Sequence, residues 1–330
     1  MKSVRLLWQG RAENPIFNKE KGKMKIAITG SRGMIGSALV ECFAKEGHIV
    51  TRIVRNFASK VPGQPSIVWN PEKKEINLEE LDRQDAVIHL AGENIGTGRW
   101  TVKRKEKIRK SRLQGTSFLC ENLVLLKHRP KVLFSASAIG YYGIRDNGAP
   151  VDEAGSSPSG FLPDLCRSWE EATKPATYAG IRVINLRFGV VLSPKGGALA
   201  KMLPVFKLGL GGKVGSGRQM MSWIALDEIP RIILYLINQD SIEGPVNVVS
   251  PRAVSNTEFT RILAKILSRP AIIPLPAFMV KIMFGKMGED LLLGGANVTP
   301  KKLEEQGYSF AYPDLERALR HLLTRSSIRT

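Results

Sequence analysis

Glycines at positions 30, 33 and 36 follow the apolar run Ile26-Ala27-Ile28-Thr29. That spacing brings bare backbone amides close to a phosphate, because no side chain blocks the approach. Gly30 permits a sharp exit from a strand, Gly33 lets the chain near a pyrophosphate, and Gly36 lets the following helix pack on the sheet. A helix opening at Met34 and Ile35 turns unpaired N–H groups and the positive end of its dipole toward an anion. The chemistry these residues predict, with Ser31 and Arg32 inside the loop, is the grip of a dinucleotide.

The residues after the second strand select among dinucleotides. An acidic residue there would accept hydrogen bonds from the adenosine ribose of NAD. Between Gly47 and Pro71 there is no Asp or Glu; Arg55 follows Val54 instead, and Arg32 lies in the glycine loop. A guanidinium holds a 2′-phosphate through charge-assisted bonds worth about 1.5–3 kcal/mol, or one to two orders of magnitude in affinity. The expected cofactor is therefore NADP(H) rather than NAD(H).

Positioning such residues requires alternating strands and helices. Apolar, β-branched runs at 25–29, 49–54, 66–69, 86–90, 131–135, 182–186 and 246–249 read as buried strands. Helical patterns separate most of them, including 34–46, 102–126 and 161–177. This alternation predicts an α/β fold, a doubly wound parallel sheet of Rossmann type with ligands beyond the strands' carboxyl ends. The segments to inspect are 30–33, 55, 91–95, 136–143 and 188–197. After residue 250 the pattern becomes mostly helical, with a helix capped near Ser255 or Asn256 and a proline-rich stretch at 270–276. We divide the chain into an extension at 1–23, a cofactor domain at 24–250 and a small helical domain at 251–330. The glycine-rich run 209–217 reads as a mobile loop, and 271–284 as a packed helix or binding wall.

Composition narrows the partners. The net charge of the 330 residues is +19, and 99–112 holds eight Lys/Arg against Glu106 alone. No zinc spacing or helix-turn-helix pattern accompanies that run, so a solvated helix face is expected, not nucleic-acid binding. The four histidines form no metal-spaced cluster. Cys42, Cys120 and Cys166 are odd in number and widely spaced, which predicts free thiols and a cytoplasmic setting. No run reaches the ~20 apolar residues of a membrane span, and no membrane partner is expected. The first 23 residues match no element of the glycine-loop unit, and Met24 directly precedes the first strand.

Longer motifs carry a resemblance. Thr29-Gly30-Ser31-Arg32-Gly33-Met34-Ile35-Gly36 resembles the TGxxGxxG loop of extended short-chain dehydrogenases/reductases. Leu90-Ala91-Gly92-Glu93-Asn94-Ile95, the run from Ser135 to Gly143, Gly215-Ser216-Gly217-Arg218-Gln219, Ser222-Trp223-Ile224 and Asn297-Val298-Thr299-Pro300 resemble the YfcH-like (SulA-like) NAD(P)-dependent epimerase family. The similarity runs from residue 24 to about 320. It implies a Rossmann domain closed by a C-terminal domain. By motif, Gly30, Gly33, Met34 and Ile35 would cradle the pyrophosphate, and Val54 and Arg55 would flank the adenosine phosphate. Leu90, Ala91, Arg112 and Val191 would also reach the cofactor.

The catalytic half departs from that pattern. Extended reductases use a Ser or Thr with a Tyr-x-x-x-Lys pair. Ser137 occupies the serine position, but the expected helix carries Phe161 and Leu165, which neither donate nor tune a proton. Tyr141 or Tyr142 is the candidate replacement. Glu93 and Asn94 are candidates for binding a polar substrate, and Cys166 for a nucleophile. Two functions follow: an NADP(H)-dependent oxidoreductase or epimerase with an unorthodox proton donor, or a silent NADP(H)-binding regulator, cell-division-related by family label. The expected partners are a small-molecule substrate, a second copy in a homodimer and, for the regulator, another protein.

Overall fold

The computed structural model describes residues 22–56, 63–145 and 148–327; most of the expected N-terminal extension lies outside them. The strands are β1 (Lys25–Thr29), β2 (Ile49–Val54), β3 (Ser66–Asn70), β4 (Glu75–Ile76), β5 (Ala86–His89), β6 (Val132–Ala138), β7 (Pro150–Val151) and β8 (Arg182–Phe188). They continue with β9 (Val190–Leu192), β10 (Met220–Met221), β11 (Trp223–Ala225), β12 (Gly244–Val248), β13 (Val254–Ser255) and β14 (Asn297–Val298). Eight of them form one sheet in the order β12-β8-β6-β5-β1-β2-β3-β4. All neighbours are parallel except the β3–β4 edge. The predicted Rossmann sheet is present, with β6 ending three residues later than expected, so that Ser137 sits within the strand.

Helices cover both faces, as continuous apolar strands require. The first five are α1 (Met34–Lys45), α2 (Leu78–Leu81), α3 (Val102–Val124), α4 (Phe161–Glu171) and α5 (Lys174–Tyr178). Then come α6 (Gly197–Lys207), α7 (Ile229–Ile237), α8 (Asn256–Leu267), α9 (Ala277–Phe284), α10 (Lys286–Gly288), α11 (Lys301–Glu305) and α12 (Leu315–Ser327). Ile26, Ile28, Ile88, Phe134 and Ile184 bury one face of the sheet against α1 and α7. Ala27, Val87, Leu133 and Val183, one residue out of phase, bury the other against α3. The single helix expected over 161–177 is two. Pro175 has no N–H to continue the ladder, and the Thr173 hydroxyl donates to the Glu170 carbonyl at the break.

Toward the strands' carboxyl ends the α3 face turns polar. Register aligns Thr29, His89, Ser135 and Asn185 in one row, and Ser137, Arg187 and Asn247 in the next. Buried polar groups are tolerated when paired. Thr29 Oγ1 accepts from the Leu90 and Ala91 amides, which leaves its own proton for His89 Nδ1 at 2.8 Å. His89 Nε2 then donates to Thr116 Oγ1 at 3.1 Å. Donor counting thus assigns the Nε2–H tautomer.

A second core joins β9, β11, α6, α8 and α12 around Trp223 and Phe259. The buried Glu228 carboxylate ties it to the first: it accepts from Tyr308 Oη at 2.6 Å and from the Ala311 and Tyr312 amides at 3.2 and 2.9 Å. The run 209–217, expected as a mobile loop, is held by backbone bonds. The Ile273 and Leu275 amides donate to Gly211 and Lys213, and the Gly215 amide donates to Leu275. Residues 271–284, expected as a packed helix or binding wall, are not packed: they are largely exposed, and within α9 only Val280 is buried.

Burial lowers the His89 pKa from 6.5 to about 4. The folded chain favours the neutral ring, so stability present above pH 6.5 is lost as the pH falls toward 4. His89 accounts for about 2–3 kcal/mol of that loss. Urea unfolding at neutral pH and near pH 4.5 measures it, and His89→Gln should shrink the difference between the two by that amount.

Candidate functional site

The glycine loop is built by backbone proximity. Gly30 has φ +65°, and a β-carbon there would stand 2.8 Å from the Leu90 carbonyl carbon. A β-carbon at Gly36 would stand 2.8 Å from Ser31 Cα, so α1 starts in contact with the turn before it. No side chain caps α1 at its Gly33 N-cap. Uncapped amides at a close-packed glycine turn suit a pyrophosphate. Met34 packs on Gly196 and Gly197, whose turn adjoins the Val191 carbonyl, bringing two distant candidate segments together.

Arg32 is exposed in the loop, Arg55 is exposed just past β2, and Val54 is buried. Sequence reading missed Arg52. Its Nη1 donates to the Ser31 carbonyl at 2.9 Å and its Nε to Gln64 at 2.7 Å, so it sets the pose of the Ser31–Arg32 peptide. Burial and the neighbouring Arg32 charge lower its pKa. An arginine in an alternating strand reads as solvated, and only the fold shows its target.

On the other side of β1, Leu90 and Ala91 abut Gly30. Arg112 turns inward from α3, 9% exposed, bonding the Glu93 carbonyl at 3.0 Å and stacking on Trp169. The Glu93 carboxylate pairs with Arg104 at 2.7 Å and Lys107 at 3.5 Å. The Arg104 hydrogen bond holds it below the usual carboxylate range. Asn94 Oδ1 accepts from the Gly96 amide. Both side chains are thereby engaged in shaping the loop that enters α3.

At the carboxyl ends of β6 and β8 lies an ion pair that sequence reading did not anticipate. Arg187, 2% exposed, donates through Nε and Nη2 to both oxygens of Glu170 at 2.8 Å. Ser137 Oγ donates to the same Glu170 at 2.7 Å. Arg187 Nη1 donates to Tyr142 Oη at 2.8 Å, and that hydroxyl donates to Asn247 Oδ1 at 2.7 Å. Burial opposes the Arg187 charge, but the Glu170 bonds raise its proton affinity above the ordinary value. Tyr142 is fully buried, and burial pushes its phenol up to about 12, which leaves it a structural member of the network. Tyr141 lies half-buried under Arg187, whose guanidinium carbon is 3.5 Å from the ring centre. A charge at that distance fixes the ring's orientation.

Phe161 and Leu165 join Trp100, Ile108 and Met287 in an apolar cluster that excludes proton chemistry at their positions. Cys166 is buried, and burial pushes its thiol up to about 12, so it is no thiolate nucleophile. All three cysteines are unpaired. Among the described residues no group of three or more His, Cys, Asp or Glu could hold a metal.

A parallel sheet with a glycine-loop βαβ unit, closed by a helical C-terminal lobe, is the architecture of an extended short-chain dehydrogenase/reductase. Residues 26–249 match the NAD dependent epimerase/dehydratase family, and residues 275–322 match a domain of unknown function, DUF1731. An epimerase family protein of Mycobacterium leprae is 40% identical over 306 residues, which cover 92% of this chain and 97% of that protein. The chloroplastic epimerase family SDR39U1 homolog of Arabidopsis thaliana is 35% identical over 314 residues, covering 93% and 88%. The crystal structure of human epimerase family protein SDR39U1 with NADPH superposes with a TM-score of 0.82 at 31% identity, covering 91% of this chain and 99% of that one. This chain belongs to the NAD dependent epimerase/dehydratase family.

Because the Glu170 side chain is only 13% exposed, Glu170→Ala strands a buried guanidinium. It should cost about 3–5 kcal/mol in urea unfolding. Glu170→Leu combined with Arg187→Met should cost less than that single change; a larger cost would show that the charges are not the source.

Proposed function

We propose that this chain is an NADP(H)-dependent oxidoreductase or epimerase that keeps Ser137 at the serine position and uses Tyr141 in place of the missing Tyr-x-x-x-Lys pair. The observation that carries this reading is the close-packed, uncapped β1–α1 turn flanked by Arg32 and Arg55, with no carboxylate from 47 to 71. The NADPH in the human relative's crystal structure supports the same assignment. Gly30, Gly33, Met34 and Ile35, with Ser31, would receive the pyrophosphate on backbone amides. Arg32 and Arg55 would hold the 2′-phosphate, with Val54 beneath. Leu90, Ala91, Arg112 and Val191 would border the remainder. When bound, NADP(H) supplies hydride exchange at its nicotinamide ring.

The chain's own groups handle the proton. Ser137 directs its proton to Glu170, so toward a substrate it presents lone pairs and orients a hydroxyl. The Tyr141 hydroxyl makes no hydrogen bond to another described residue, which leaves it to give or take the proton. Arg187 and Glu170 position both groups. Glu93 and Asn94 would orient the substrate through the loop they shape. No contact among the described residues favours the regulatory reading.

NADPH should bind at least about tenfold tighter than NADH, a gap of ~1.4 kcal/mol. Arg55→Ala should erase most of that gap in calorimetric titration, and equal affinities in the parent would remove the assignment. In a panel of carbonyl compounds followed by loss of nicotinamide absorbance, Tyr141→Phe should lower turnover by about 10²-fold or more with NADPH affinity unchanged. Undiminished turnover would place the proton elsewhere.

A further inference from the structure

Val280 is buried and Phe284 packs on the Trp100 cluster, but most apolar side chains between 272 and 283 stay exposed. Of the exposed side chains there, Ile272 is 81%, Phe278 63% and Ile282 65% exposed, with Met279 and Met283 beside them. The ladder that joins 211–215 to 273–275 places the exposed Leu208 and Leu210 against the same surface, and Gly209 abuts Pro270. An apolar patch of this extent on a soluble fold marks a contact surface.

Charge identifies what it contacts. Segments 201–213 and 268–286 carry Lys201, Lys207, Lys213, Arg269, Lys281 and Lys286 and contain no Asp or Glu. Glu289 and Asp290 neutralise Lys281 and Lys286, whereas Lys207 and Arg269 stand exposed beside the apolar residues. The apolar side chains stand exposed on a helix and two adjoining segments. Protruding Phe, Ile and Met beside the exposed Lys207 and Arg269 suit a fluid acceptor with anionic headgroups. No described helix is long and apolar enough to cross a membrane, so the attachment is interfacial.

We propose that α9, the 270–276 segment and the 205–210 turn together seat the protein on an anionic lipid surface. This attachment does not depend on the cofactor reading.

The test is co-sedimentation of the full chain with vesicles of phosphatidylcholine alone and of equal parts phosphatidylcholine and phosphatidylglycerol. The parent should bind the mixed vesicles and bind the neutral ones far more weakly. The charge-preserving triple variant Phe278→Gln, Ile282→Gln, Met283→Gln should bind at least about tenfold more weakly, with its unfolding midpoint unchanged because all three positions are exposed. A second variant, Lys207→Glu with Arg269→Glu, should also lose binding to the mixed vesicles while its apolar face is intact. A triple variant that binds like the parent would mean that the +19 chain is simply adsorbed, and the proposal falls. It falls equally if the parent ignores the mixed vesicles. A parent dimer that the triple variant converts to a monomer in light scattering would assign the face to a second copy instead.

Discussion

A guanidinium at the end of a parallel sheet has to be neutralised where it sits, and Arg187 meets that demand through Glu170. The pair fixes more than itself. Because Glu170 is near the end of α4, satisfying Arg187 clamps that helix to the sheet beside β6. Ser137 donates to the same carboxylate, so its hydroxyl direction is set by the ion pair. Tyr142, Asn247 and the buried Glu153 continue the network; Asn247 bonds the Thr299 carbonyl, and Glu153 accepts from the Asn247 amide. One buried charge thereby couples α4, three strand ends and the C-terminal segment near β14. Buried networks of this kind specify geometry through the high cost of any unmet partner.

The glycine loop depends on a different constraint, the absence of atoms. Gly30 and Gly36 let β1, the Leu90–Ala91 backbone and the start of α1 approach more closely than any side chain allows. The uncapped amides at the start of α1 are a consequence of that packing. Arg52 then braces the loop from β2, and the Met34 contact with Gly196 and Gly197 closes it from the far side of the chain. The two halves of the site are therefore held differently, one by backbone contact and the other by charge.

Much of this was legible in the residues. The seven parallel strands, α1, α3 and the Ser255 cap of α8 follow from β-branched runs, helical periodicity and a side chain able to accept from the Glu258 amide. The acid-free stretch around Arg55 is likewise plain. Glu170 and Arg187 were not legible, because an acid on a helix and an arginine in a strand ordinarily face solvent. Their meeting depends on the register that aligns Ser137 with Arg187. The exposure of α9 was equally hidden: an apolar run looks the same whether it meets a core or an open surface.

By itself, then, the sequence determined the class of fold, the glycine turn and the loss of the Tyr-x-x-x-Lys pair, since these depend on local periodicity, backbone freedom and residue identity. The tertiary structure alone decided which charges are paired, that Tyr142 is buried while Tyr141 is only half-buried, and that Glu93 is occupied by α3. The physical reason is that burial and partnership arise between segments far apart in the chain. A carboxylate's role is set by the guanidinium that packing brings to it, and no local pattern encodes that distance.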